Sequence, residues 1–463
     1  MKSLFASLLP ACTLLLTIAV IFLGVSCSRQ SEQAADTPAV TEAPAAQTPV
    51  AVEAAPAEAT TDFFTPAPDA GAKLPADKVY PAGRIFPVSG YSSPSATLMR
   101  DFGFTVAGPV YGSHEKMCKW AQEAKEAGLP ILWQLTVKQG EETVTLELMS
   151  KANSKKANID WEAIEQSAKE NAKDAIDKFG DSILWWYVTP EELRHWRSME
   201  MNYLRNVADA IRSVDPLKRP ISMYQPGHYG KASLEHYTPI LDYISQGCYP
   251  HAGKTHRTWN RYWAENLIGA TKAANRTAIA VTEMYIEPQQ EELGMVPAWV
   301  KYDVWVPLLY GCRGILVFSL ANRKNFESHD RYLLAYSEVI KPLNGERKLG
   351  EVLLFGVEEK DLSFQVTDGP DTVTYVKKSP NNNLTFTYPT ILFKDIRHAT
   401  GRYCFAASSS DMPVKTLLKG LPKQPVAVYD AENGKLIGTA TDGTFPVEFD
   451  TWGVRLLRLE KAK

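Results

Sequence analysis

Three glutamic acids stand where chemistry is cheapest to build. Thr189-Pro190-Glu191-Glu192 closes the run Ile183 to Thr189, and Thr282-Glu283-Met284-Tyr285 closes the run Ala278 to Met284. Two carboxyl groups facing one another across a cleft can cut a glycosidic bond. One protonates the leaving oxygen while the other attacks the anomeric carbon or activates water. The acid has to keep its proton near neutral pH, and the nucleophile has to stay ionised. Around these acids the same strand-end logic collects Tyr111, Trp133, Gln134, Tyr224, Tyr249, His251, Tyr285 and Asn322 as substrate-binding candidates, with Arg194 placed to pair with Glu191 or Glu192. Trp185, Trp186 and Tyr187 are further candidates for stacking a sugar ring, with core filling as the competing role.

Elements that position these residues follow from periodicity. Eight short β-branched or aromatic runs recur: Ile85 to Tyr91, Phe104 to Tyr111, Ile131 to Val137, Ile183 to Thr189, Pro220 to Gln225, Tyr243 to Tyr249, Ala278 to Met284 and Gly314 to Leu320. Between them lie helical patterns at His114 to Ala127, Trp161 to Phe179, Glu191 to Val214, Trp259 to Ala274 and Pro297 to Tyr310. Alternating βα units over about 250 residues predict an α/β fold, a (β/α)8 TIM barrel with its site at the strand C-termini. No GxGxxG follows the first strand, which disfavours a doubly wound dinucleotide-binding sheet. In the third helical pattern Leu193, Trp196, Tyr203, Leu204, Val207, Ile211 and Val214 form one stripe, which Asp215-Pro216 ends. Thr189-Pro190-Glu191-Glu192 also reads as a capping box, with Thr189 as N-cap and Glu192 reaching back to its amide, which leaves Glu191 as the freer acid.

With acids ending the fourth and seventh strands, the chain resembles the retaining glycoside hydrolases of the (β/α)8-barrel 4/7 superfamily. That resemblance implies Glu283 in Ile279-Ala280-Val281-Thr282-Glu283 as nucleophile and Glu191 or Glu192 as acid/base. Asp242 to Pro250 is similar to the group's sixth strand, and Gly314 to Ser319 to its eighth. The group usually has Asn before the acid/base; here Pro190 stands before Glu191. A glycan-binding protein on an inactive barrel is the rival from another class, and a serine esterase is disfavoured by the absence of GxSxG.

Past residue 342 the rhythm becomes strand-like, beginning with Glu351 to Val357, and Asp368-Gly369, Asn433-Gly434 and Asp442-Gly443 are turn signals. A small all-β, sandwich-like domain over 343–463 is expected, after a catalytic barrel over 77–342. Residues 1–27 have secretory-signal architecture, with Lys2, the apolar run Leu14 to Leu23 and small residues before Cys27. Leu23-Gly24-Val25-Ser26-Cys27 resembles a lipoprotein processing site, implying lipidation of Cys27; cleavage with release and an uncleaved anchor are the alternatives. Residues 28–76 are rich in Ala, Pro, Thr, Glu and Gln and read as a disordered linker. The expected setting is extracytoplasmic, anchored to a bacterial membrane or secreted.

With 50 basic and 53 acidic residues the chain carries a net charge of −3, which lacks the basic excess of a nucleic-acid binder and suits a neutral oligo- or polysaccharide. The six cysteines contain no CxxC, and the histidines show neither HxH nor HExxH, so no cofactor, no structural zinc and no disulfide framework are expected.

Overall fold

A computed structural model describes residues 62–80, 83–377 and 383–462. The expected signal segment, Cys27 and the linker up to residue 61 lie outside the described residues. The end of that linker does not behave as one: Phe63 and Phe64 pack on the C-terminal sheets, and the Ala67 amide donates to His398 O at 3.3 Å. Two adjacent aromatic side chains supply the apolar area that the preceding Ala/Pro tract lacks.

Seven parallel strands form one sheet, ordered Val88–Gly90, Ile315–Phe318, Thr277–Glu283, Tyr243–Cys248, Ile221–Gln225, Ile183–Val188 and Ile131–Leu135. The second of the eight expected strands closes the ring as an irregular extended segment. Thr105 and Val106 amides both donate to Val88 O (2.9 and 3.0 Å), and Leu132 N donates to Ala107 O (2.8 Å). The result is the expected (β/α)8 barrel. Its interior is filled by one alternate set of side chains, among them Tyr91, Val106, Leu132, Trp185, Tyr187, Tyr224, Tyr243, Ile279, Val281 and Leu316. The other set faces the helices, as the period-two pleat requires.

The longer helices are α1 (His114–Glu126), α2 (Trp161–Phe179), α3 (Ser198–Val214), α4 (Trp259–Ala273), α5 (Val296–Tyr310) and α6 (His329–Asn344). Ser113 and Asp160 cap α1 and α2 by accepting the amides of Lys116 and Ala163. Four of the five expected helices agree to within a residue; α3 does not. It begins seven residues later than its apolar stripe suggests, so Trp196 is 60% exposed rather than buried against the sheet. The capping box is absent as well: Glu192 has φ +58°, a left-handed conformation that cannot open a right-handed helix. Arg194 instead donates its amide and guanidinium to the fully buried Glu200 carboxylate inside α3 (2.6–3.1 Å), which fixes residues 190–197 as a loop.

Beyond α6 the first element is a helix, Leu349–Phe355, where a strand was expected. Its Leu349, Val352 and Leu354 are buried, and Glu351 forms a salt bridge with Arg84. Antiparallel sheets follow, as expected. A six-stranded sheet and a three-stranded one (Ser363–Asp368, Val414–Lys419 and Thr444–Phe449) enclose their own core of Cys404, Leu418, Val428, Phe445 and Leu457. Asn433-Gly434 joins two paired strands, and Asp442 and Gly443 both have positive φ, as a type I′ turn requires. Asp368-Gly369 joins strands that do not pair with each other, so it is a turn without a hairpin. The outer face of the larger sheet packs on α5, with Trp305 against Phe405 (5.3 Å) and Tyr302 against Trp452 (5.1 Å). No described helix is long and apolar enough to cross a membrane.

Candidate functional site

In the fourth strand the pleat sends Trp185 and Tyr187 into the barrel and Trp186 out to the helix layer, where its indole donates to Asp215 (2.9 Å). Three residues past the strand, Glu191 hangs over the barrel mouth. Its Oε1 accepts hydrogen bonds from Tyr111 (2.6 Å) and Tyr187 (2.5 Å). Tyr187 also meets the hydroxyl of Tyr91 (2.9 Å), whose ring stacks on Tyr111 at 6.1 Å. Tyrosines from the second and fourth strand positions thus grip one carboxyl group, and Tyr91 from the first braces Tyr187.

Rings continue around the mouth. Tyr91 lies 5.4 Å from Phe318, which lies 5.7 Å from Tyr249 and 5.4 Å from Tyr285. Tyr249 stacks on Tyr224 at 6.3 Å, and Arg323 sits over both Tyr285 and Phe318 at 5.4 Å. Such flat, amphipathic walls suit the apolar faces of pyranose rings. Of the sequence candidates, Tyr111, Tyr224, Tyr249 and Tyr285 are therefore brought together with Glu191. Gln134 lies buried inside the barrel, beside Tyr187 in the sheet register, with its Oε1 unbonded. Tyr91, Phe318 and Arg323 were missed. Tyr91 and Phe318 carry the same signal as Tyr111, an aromatic residue at a strand's C-terminal end; Arg323, in the loop after the eighth strand, carries none.

Trp133 does not reach the mouth. It faces the helices, against Phe179 (5.7 Å) and Trp186 (6.5 Å), because it has the opposite parity to inward Leu132. Arg194 is likewise consumed by Glu200 rather than by Glu191 or Glu192. Glu192 is exposed, and its amide donates to Tyr224 O at 3.4 Å. Asn322 is exposed and lines a 230 Å³ recess with Arg323, Phe326 and His329.

Burial pushes the Glu191 carboxyl up to about 7; the two tyrosine hydroxyls pull it down and the charge of Glu192 adds to the rise. Near neutral pH it holds a proton about half the time, as a general acid should.

Glu283 occupies a different environment. It ends the seventh strand, only 4% exposed, and its carboxylate accepts the amides of His251 (2.6 Å) and Ala252 (3.1 Å). Arg257 approaches it at 3.9 Å while pairing with Asp303 of α5 at 3.1 Å, and the guanidinium lies 4.5 Å from the Trp299 ring centre. Asn260 links Asp303 to Cys248. The His251 ring rests against Trp299 (5.4 Å), so this residue serves Glu283 through its backbone. Burial raises Glu283 to about 7; Arg257 opposes it, Asp303 adds to it, and the two amides oppose it. Burial likewise raises Asp303 to about 6, against Arg257 and Asn260. One guanidinium thus serves two buried carboxyl groups. The groups bonded to Glu191 are tyrosine hydroxyls of the mouth, whereas those around Glu283 belong to the loop after the sixth strand and to α5.

No family model matches the sequence, and no curated protein matches it. Among solved structures the chain is similar to an Anoxybacillus α-amylase at 11% identity, covering 85% of this chain and 94% of that one with a TM-score of 0.48. A GH42 β-galactosidase from G. stearothermophilus matches at 8% identity, 82% and 99% coverage and a TM-score of 0.49. A GH30 endoxylanase from Clostridium papyrosolvens matches at 11% identity, 82% and 96% coverage and a TM-score of 0.44. These neighbours are glycoside hydrolases. Likeness at this level concerns the path of the chain, and function has to be read from the site.

Proposed function

We propose that this protein hydrolyses a glycosidic bond in an oligo- or polysaccharide, with Glu191 as the proton donor. The observation that carries the reading is the Glu191 carboxyl, hydrogen-bonded by Tyr111 and Tyr187 at the end of a barrel strand and poised near neutral pH in an aromatic mouth. A sugar ring lying on those aromatic walls presents its glycosidic oxygen to Glu191, which protonates that oxygen as its bond to the anomeric carbon breaks. A new bond forms from that carbon to Glu283, later hydrolysed by water, or directly to a water that Glu283 deprotonates. Glu283 is the second carboxyl of this proposal. Its two amide donors and Arg257 favour the ionised form that a nucleophile requires, while burial and Asp303 oppose it.

The experiment is a glycan and aryl-glycoside panel read with the wild type, Glu191→Gln and Glu283→Gln. Loss of the acid should slow poor leaving groups far more than good ones, because activated aryl leaving groups need little protonation. Loss of the second carboxyl should slow both. Unchanged turnover in Glu191→Gln would remove it from the mechanism. Covalent trapping of Glu283 by a fluorinated sugar would establish retention.

A glycan-binding protein without hydrolysis is the second reading, favoured by Pro190 before Glu191 and by the 4% exposure of Glu283. Saturable glycan binding with no product on the whole panel would select it. The extracytoplasmic, lipid-anchored setting belongs to the same proposal, and mass spectrometry of the mature N-terminus tests it at Cys27.

A further inference from the structure

Outside the mouth, α1 and α2 bring together three side chains of metal-ligand chemistry. His114 and Cys118 are four residues apart on α1 and share a face, and Asp174 reaches them from α2. Nε2 of His114 lies 2.7 Å from Asp174 Oδ2 and 3.6 Å from Cys118 Sγ, and all three ligand atoms fall within 4.8 Å of one another. A tetrahedral zinc with S and N bonds of about 2.3 and 2.0–2.1 Å sets its sulfur and nitrogen roughly 3.6 Å apart. The proton on one imidazole nitrogen cannot serve both neighbours, and Nδ1 of the same ring is buried without a partner. A cation at the centre would take the Nε2 lone pair and engage all three groups at once.

We propose that His114, Cys118 and Asp174 bind a divalent cation of the zinc class, leaving a fourth position for water. Thiolate, imidazole and carboxylate together favour Zn2+ over Ca2+ or Mg2+, which prefer all-oxygen shells. His114 also lines a polar recess of about 540 Å³ with Ser113, Thr136, Gln166 and Asn171, so solvent reaches the cluster's edge. Lys178 is the internal competitor, its ammonium 2.8 Å from Asp174. Neither the fold nor the glycosidase reading depends on this site.

Cobalt(II) titrated into the chelator-treated full chain tests it, with Zn2+ as competitor. The expected result is thiolate-to-metal charge-transfer absorption together with the strong visible bands of four-coordinate cobalt, both displaced by Zn2+. Cys118→Ser should abolish the charge-transfer band, and His114→Ala should weaken Co2+ binding by about tenfold or more. Lys178→Met frees Asp174 and should tighten binding, an effect opposite in sign to damage by misfolding. No charge-transfer band in folded wild type, a band that survives Cys118→Ser, or weaker binding in Lys178→Met would each overturn the proposal.

Discussion

Replacing Tyr111 by Phe removes one of the two hydroxyls that hold the Glu191 carboxylate, with little change in shape. A hydroxyl donates more strongly to the ionised carboxylate than to the neutral acid, so its loss should raise the pKa of Glu191 above its present value of about 7. A hydrogen bond to a charged group contributes about 1.5–3 kcal/mol, and 1.36 kcal/mol is one pKa unit, so the rise should be about one to two units. The lower end is expected, because Glu191 keeps partial solvent access and Tyr187 remains as a donor. Carbon-13 NMR of side-chain-labelled glutamates, with Glu191→Gln to assign the signal, reads the midpoint directly. If Glu191 is the acid, the basic limb of kcat/KM should move up with it. A midpoint that stays put or falls would refute the claim that the tyrosine cage sets the protonation of this group.

Glu283, raised from 4.5 to about 7 in the folded chain, binds its proton more tightly than the unfolded chain does. Stability should therefore fall as pH rises between those values, by about 3 kcal/mol for this group. Denaturant unfolding at pH 5 and pH 8 should show a smaller loss in Glu283→Gln than in wild type. Asp303→Asn leaves Arg257 to Glu283 alone, so the Glu283 midpoint should drop in the same NMR titration. Arg194→Ala leaves the fully buried Glu200 carboxylate only the more distant guanidinium of Arg197 at 3.9 Å and should cost about 3 kcal/mol in urea unfolding, since Arg197 and the remaining amide donors soften the loss. Tyr249→Ala should weaken glycan binding more than it lowers Tm, whereas Trp133→Phe should do the reverse.

Strand and helix positions were legible because each depends on local periodicity. Ile131–Leu135 and Trp161–Phe179 bury the residues that their patterns single out, and Glu283 ends a strand while Glu191 follows one, as the βα rhythm requires. The start of α3 was not legible. Leu193 and Trp196 keep helical spacing, yet the buried Glu200 draws Arg194 into a loop conformation. Trp133 shows the same limit in a strand, since alternation states which residues share a face but not which face lines the barrel.

By itself the sequence determined the eight-unit barrel, the all-β continuation and the pair of strand-ending acids, since all three are written in the spacing of neighbours along the chain. Only the tertiary structure decided what surrounds those acids: the hydroxyls of Tyr111 and Tyr187 on Glu191, and Arg257 with Asp303 of a distant helix beside Glu283. The physical reason is that a carboxyl group's protonation is set by burial and by charges within a few ångströms, and folding supplies both from residues far apart in the chain.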